Sequence, residues 1–405
     1  LAYGFGQIDG FAPRARLGFV RWALSALFCL FAFAGAPAQT ITTAAKFALL
    51  EDYDTGTVLF NKAADDPMAP ASMSKLMVAE IVFHELKEGR LHLGDKLHVS
   101  EYAWRTGGAP SHGSAMFLSV KSNVAVDDLL RGLIIESGND AALVLAEGIG
   151  GSEQGFVGMM NKRAVELGLT HCHFTNAWGR SDPAERVTAR DLAALARHLI
   201  RDYPEYYHYF SDKDFTWNRI HQLNRNPLLT MNIGADGLKT GDTAESGFGL
   251  VGSAVQDGQR LILVVNGYKT ASERAEDSRR LLNWGFRGFD VRVFYQPGDS
   301  VGQAEVYGGA QDSVALTPLG PVKVFVPKSG ADKMAAKIVY FGPLAAPVAA
   351  GRQIGELRIF NAGALVASAP LATKSAVAKG PMTSRAADAA WELSKDWLRR
   401  QWARR

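Results

Sequence analysis

The sequence predicts an α/β layered domain followed by a small all-β module. Three observations carry this prediction. Strand-like and helix-like runs alternate between residues 46 and 290. From Val291 to about Leu371 only short alternating runs occur, separated by Gly and Pro turns. The composition is that of a globular chain: 405 residues, 47% hydrophobic and 21% charged. That excludes a largely disordered chain, a collagen and a coiled coil.

In chain order, Phe47 to Glu51 and Thr57 to Phe60 read as a hairpin around Asp54-Thr55-Gly56. Met73 to Leu86 reads as a helix ending at Gly89. Val126 to Ile135 and Ala141 to Ala146 carry helical patterns, and Thr188 with Asp191 forms a capping-type start for a helix through Ile200. Gly249 to Ala254 and Arg260 to Gly267 form a hairpin across Gln256-Asp257-Gly258, and Ser272 to Trp284 follows as a helix. Helices between and after strands give a layered domain over 39–290. The runs Val291–Tyr295, Ala304–Tyr307, Val322–Val326, Lys337–Phe341, Glu356–Phe360 and Ala364–Ala369 give the all-β module, 291–372. Residues 373–384 read as a linker.

The two ends have a different character. Arg14, Arg16 and Arg21 precede an apolar run from Trp22 to Gly35, and Ala36-Pro37-Ala38 supplies a small-x-small cleavage site. Residues 1–38 therefore read as an export signal with upstream residues, the mature chain starting near Gln39. A retained membrane anchor is the alternative. The two cysteines are Cys29, inside this signal, and Cys172. They exclude a disulfide framework or a Cys-rich zinc module. At the other end, residues 385–405 form an amphipathic helix. Trp391, Trp397, Leu398 and Trp402 gather on one face, and Arg399, Arg400, Arg404 and Arg405 crowd the terminus. That pattern suits a helix lying in a membrane interface, with docking on its own domain as the alternative.

Three short motifs carry chemistry. Ser72-Met73-Ser74-Lys75 places a serine at a helix N-terminus and a lysine one turn on, on the same face. A serine hydroxyl needs a base to become a nucleophile. Lys75 serves only if burial or a neighbouring cation lowers its pKa far below the usual value. The helix start also offers N–H groups where an oxyanion would form. Alone, the tetrapeptide fits a plain helix start as well. Ser137-Gly138-Asn139 fits a polar turn between helices. Lys239-Thr240-Gly241 fits a strand start with surface charge.

Together, S-x-x-K, S-x-N and K-T-G are the signature set of penicillin-binding proteins and serine β-lactamases. The chain closely resembles the D-alanyl-D-alanine carboxypeptidases among the low-molecular-mass penicillin-binding proteins. The resembling stretches are PASMSKLM (70–77), GSAMFL (113–118), LIIESGNDAA (133–142), NRNPLL (224–229), DGLKTGDT (236–243) and SERAEDSRRLLNWGF (272–286). The resemblance implies a transpeptidase-like catalytic domain, an antiparallel sheet flanked by helices plus a helical subdomain, then a small β-sandwich and the terminal helix.

It implies roles as well. Ser72 attacks the carbonyl between the two terminal D-alanines, and Lys75 takes its proton. Ser137 and Asn139 complete a relay and hold the substrate backbone. Lys239 and Thr240 face the terminal carboxylate. The amides of Ser72 and Asp242 form the oxyanion hole, with Gly241 between the hydroxyl and that amide. Arg225 and Arg274 support the carboxylate, which an arginine grips bidentately. The implied substrates are peptidoglycan stem peptides, and β-lactam antibiotics acylate the same serine. No cofactor and no metal are implied. The implied location is periplasmic, peripheral on the outer face of the cytoplasmic membrane through the C-terminal helix. Asp242 departs from the family pattern, where His or an aromatic residue is frequent. The departure bears on rate and substrate preference more than on reaction class.

Other signals are set aside. His171-Cys172-His173 lacks a third ligand for a metal. His112 reads as a loop residue, and Gly148, Gly150, Gly151 and Gly155 lack the dinucleotide spacing. The alternatives in function are a D,D-endopeptidase, a β-lactamase or a non-catalytic wall scaffold. No Glu-x-x-x-Asn spacing between Asn139 and Lys239 supports a class A β-lactamase, and three intact motifs argue against a relic. The net charge of +3 is also informative. Residues 1–38 carry +2 and 385–405 carry +3, so the 39–384 portion carries −2. Nucleic acid is therefore not an expected partner.

Overall fold

The structure is a computed structural model that describes residues 41–328, 334–361 and 363–382. Residues 1–38, read above as an export signal, and 385–405, read as an amphipathic helix, lie outside the described residues. The chain divides into two units, one spanning Thr40–Gly288 and the other beginning at Phe289.

The first unit is built on a five-stranded antiparallel sheet. Its strands are β1 (Phe47–Asp52) and β2 (Val58–Lys62), then, after two separate two-stranded sheets, β7 (Ala235–Thr243), β8 (Gly247–Gln256) and β9 (Gln259–Tyr268). One two-stranded sheet pairs β3 (Lys96–His98) with β4 (Asn123–Ala125), and a hairpin pairs β5 (Asp214–Trp217) with β6 (Ile220–Leu223). The sheet order is β2-β1-β9-β8-β7, so β7 is an edge strand.

Strands β1, β8 and β9 are buried on both faces, and strand alternation sorts their residues between two cores. Leu49, Val251, Ile262 and Val264 join one core with α1 (Lys75–Lys87) and α6 (Ala189–Asp202). Ala48, Leu50, Leu250, Leu263 and Val265 join the other with Leu281 and Leu282 of α7 (Ala271–Arg287). Burial on two faces makes these strands read as continuous apolar runs.

The remaining helices form a lobe beside the sheet: α2 (Glu101–Gly107), α3 (Val126–Ile134), α4 (Asn139–Gly150) and α5 (Glu153–Glu166). Sequence periodicity missed α2 and α5. The latter is mostly polar, with only Phe156, Met160 and Ala164 buried. Helix α1 runs through the middle of the unit, buried from Lys75 to Phe83. Its Phe83 ring stacks with Tyr206 and Tyr209 and meets Phe210 edge-on. A helix enclosed on all sides shows little amphipathic pattern, yet it holds its first residue rigidly.

The second unit is all β. Strands β10 (Phe289–Tyr295) and β13 (Val322–Pro327) pair antiparallel. A six-stranded sheet has the order β14-β16-β17-β12-β11-β15, comprising Gly302–Tyr307, Ser313–Pro318, Met334–Tyr340, Leu344–Ala345, Gln353–Asn361 and Ala364–Thr373 as β11, β12, β14, β15, β16 and β17. The periodicity reading did not include β12. Part of the segment read as a linker is bound to this unit. Val377 is buried in its core and bridges Val348, and the Gly380 N–H donates to the Gly308 carbonyl.

Candidate active site

Ser72 lies in a single 3-10 turn, Ala71–Ser74, directly ahead of α1. Two contacts hold this turn. Asn266 of β9 donates to the Ala69 carbonyl at 3.0 Å, and Ser74 Oγ donates to the Ala71 carbonyl at 3.0 Å. Ser72 itself is half-buried, whereas Lys75 is buried at 1% exposure.

Lys75 Nζ has three partners: Ser72 Oγ at 2.8 Å, Asn139 Oδ1 at 2.8 Å and the Trp178 carbonyl at 2.5 Å. Two of these are carbonyl-type oxygens that can only accept. They fix two N–H bonds of the amine and direct its remaining position at the Ser72 hydroxyl. Burial, with the Arg225 charge second, brings the Lys75 pKa down to about 7. The condition that the sequence imposed on this lysine is thus met.

Ser137 sits between α3 and α4 in the left-handed backbone region, φ 59°. That conformation costs a non-glycine residue energy and is kept only where neighbours enforce it. The enforcers are visible. The Gly138 N–H donates to the Gly132 carbonyl and the Asn139 N–H to the Ser114 carbonyl, each at 2.8 Å. Asp140, which is fully buried, accepts from the Met116 and Leu118 amides at 2.8 and 3.0 Å. A Cβ at Gly138 would stand 3.1 Å from the Met116 nitrogen. The GSAMFL stretch is therefore clamped against Ser-Gly-Asn by one carboxylate.

Lys239, Thr240 and Gly241 lie buried on the edge strand β7. A Cβ at Gly241 would stand 2.9 Å from the backbone nitrogens of Ser72 and Met73. Lys239 Nζ contacts the Thr240 carbonyl at 3.3 Å. Burial holds its pKa well below the ordinary lysine value, and the charges of Lys75, Arg225 and Arg274 act in the same direction.

Arg225 is exposed, and its Nε donates to the Glu136 carbonyl at 2.9 Å, beside the second motif. Arg274 is buried on α7, 5.8 Å from the Phe248 ring centroid, and its Nε has no partner. Burial lowers the Arg274 pKa, and the Asp242 carboxylate opposes that shift. Asp242 is exposed on β7, and its carboxylate acts on Lys75, Lys239 and Arg274.

All ten residues singled out in the sequence thus lie on elements that converge on one place. Sequence reasoning missed Trp178, which contributes a backbone carbonyl and so leaves no side-chain signal. It also missed Asp140, although that residue stands inside the LIIESGNDAA stretch. Among the described residues no group of three or more His, Cys, Asp or Glu could hold a metal ion. Cys172 lies 3.7 Å from an Asp191 oxygen, and burial pushes its thiol pKa up.

The fold is that of the penicillin-binding class, a transpeptidase-like domain followed by a β domain. A family model described as D-alanyl-D-alanine carboxypeptidase matches residues 34–270, and one described as the C-terminal domain of penicillin-binding protein 5 matches 289–379. The chain is 40% identical over 345 residues to the D-alanyl-D-alanine carboxypeptidase DacD of Salmonella typhimurium, covering 84% of this chain and 88% of that protein. It is 37% identical over 381 residues to DacC of Escherichia coli, covering 92% and 95%. The crystal structure of penicillin binding protein 5 from Haemophilus influenzae superimposes with a TM-score of 0.74 at 38% identity, covering 84% of this chain and 99% of that one. The chain belongs to the D-alanyl-D-alanine carboxypeptidase family.

Proposed function

We propose that this protein is a serine D,D-carboxypeptidase that removes the terminal D-alanine from peptidoglycan pentapeptide stems. The observation that carries the reading is Lys75, buried and lowered to about 7, with its amine directed at the Ser72 hydroxyl 2.8 Å away.

An extended peptide pairs with the free edge of β7, its terminal carboxylate toward Lys239, Thr240 and the two arginines. A carboxylate there supplies the counter-charge that the buried Lys239 lacks. Ser72 Oγ then attacks the penultimate carbonyl while its proton passes to Lys75 Nζ. The Ser72 and Asp242 amides hold the developing oxyanion. Collapse of the tetrahedral intermediate breaks the C–N bond. The proton returns from Lys75 through the Ser137 hydroxyl to the departing amine, and D-alanine leaves. Water hydrolyses the remaining ester and restores Ser72 Oγ–H. A β-lactam acylates the same oxygen, but its ring remnant stays attached to the acyl group and blocks water.

We also assign residues 39–290 to catalysis, and the 385–405 helix to the outer face of the cytoplasmic membrane after export. The β unit has no catalytic cluster of its own in the sequence and suits a spacer. Mass spectrometry with a penicillin tests the reading. We expect a stable adduct on Ser72, absent in Ser72→Ala, together with D-alanine release from a pentapeptide. Rapid drug hydrolysis without D-alanine release would sink it.

A further inference from the structure

The loop that places the Trp178 carbonyl on Lys75 has its own internal frame. Its base is closed by a bridge in which the His173 N–H donates to the Arg186 carbonyl at 2.7 Å and the Arg186 N–H returns at 2.9 Å. Inside the loop Asn176 is buried. Its Oδ1 accepts from three successive amides, Trp178, Gly179 and Arg180, at 3.2, 2.8 and 2.9 Å. The Asn176 Nδ2 donates to Glu185 Oε2 at 2.7 Å and to the Arg180 carbonyl at 3.0 Å. Glu185 is also buried, and its Oε1 has no partner. The loop presses on the nucleophile as well. A Cβ at Gly179, φ 82°, would stand 2.3 Å from the Ala71 oxygen and 2.7 Å from the Ser72 nitrogen.

We infer that Asn176 and Glu185 are positioning residues: Asn176 gathers the three amides that aim the Trp178 carbonyl at Lys75, and Glu185 holds the Asn176 amide in that orientation. An asparagine amide can rotate by half a turn at little intrinsic cost. Turned around, it would present N–H groups to N–H groups. A buried oxygen on the Nδ2 side removes that freedom. Burial pushes the Glu185 carboxyl up to about 8, so at neutral pH it is protonated and restores little charge to Lys75. The other charged groups acting on Lys75 are Arg225, Asp140 and Asp242, with Lys239 beside it.

The inference rests on the acyl-enzyme reading above. The test measures the second-order rate of Ser72 acylation by a fluorescent penicillin from pH 5 to 10, in wild type, Asn176→Ala, Glu185→Ala and Glu185→Gln. Gln keeps an acceptor for Asn176 and no charge. We expect the two alanine variants to be at least about tenfold slower and Glu185→Gln to stay within about threefold of wild type, as expected where a small misplacement of a base is costly. The acid limb of the alanine variants should move to higher pH, because a loosened loop lets water reach Lys75. If Asn176→Ala does not fold by circular dichroism, the two Glu185 variants still decide. Wild-type rate in Glu185→Ala, or an equally slow Glu185→Gln, overturns the inference. No adduct in wild type overturns the acyl-enzyme reading instead.

Discussion

Gly241 of the edge strand touches the amide of Ser72: a Cβ at 241 would stand 2.9 Å from that nitrogen. The third motif is thereby packed onto the backbone of the first. Gly241→Ala must push the strand away from the turn or distort the turn itself. We expect acylation to fall by about a hundredfold or more, the scale of losing an oxyanion donor. Stopped-flow acylation rates compared with thermal melts separate this from unfolding, and a wild-type rate would contradict it.

Lys75 predicts the pH profile. A base must be neutral to accept the Ser72 proton, and this amine is held at about 7. The acylation rate should therefore rise with pH through an acid limb near 7 and level off above it. Lys75→Arg cannot lose its proton in this range and should show no measurable acylation. A limb near 10 in the wild type would mean that the base is not desolvated in solution.

Arg274 is a buried cation whose Nε has no hydrogen-bond partner. Such a group costs stability until an anion arrives. Arg274→Gln should raise the melting temperature of the free protein while raising KM for a peptide with a free terminal carboxylate by about tenfold, the size of one charge-assisted contact. A lowered melting temperature with an unchanged KM would assign the residue a packing role alone.

Glu136 stands next to Ser137 with both carboxyl oxygens buried and without partners. Burial raises its pKa from 4.5 to about 8. Between these values the folded protein keeps a proton that the unfolded chain has released. The stability linked to this group is full below 4.5 and is lost as pH rises through about 8. Glu136→Gln cannot suffer that loss. Its melting temperature should gain on the wild type from pH 5 up to about 8 and level off above that. Parallel curves would show that Glu136 finds a partner in solution.

Asp242 is exposed, and its expected role uses only the backbone amide. Asp242→His should leave penicillin acylation intact and change turnover of the peptide. Loss of labelling in that variant would assign the side chain a part in acylation.

The sequence by itself determined the three motifs, the sheet-and-helix class and the change to a β module near Val291. Those features live in residue identity, local periodicity and turn chemistry. Lys75 illustrates the limit. Its spacing from Ser72 is written in four residues, but its pKa is not. That value follows from enclosure of α1 on every side and from Arg225, 150 positions away in the chain. The same holds for Asp140, whose clamp on Met116 and Leu118 exists only once two distant segments meet. Helix α5 escaped detection because it buries only three side chains along its length. What the tertiary structure alone decided is electrostatic and contributed by the backbone: which amine is desolvated, and that the Trp178 carbonyl orients it. Main-chain oxygens and burial carry no residue letter, so no spacing of letters could announce them.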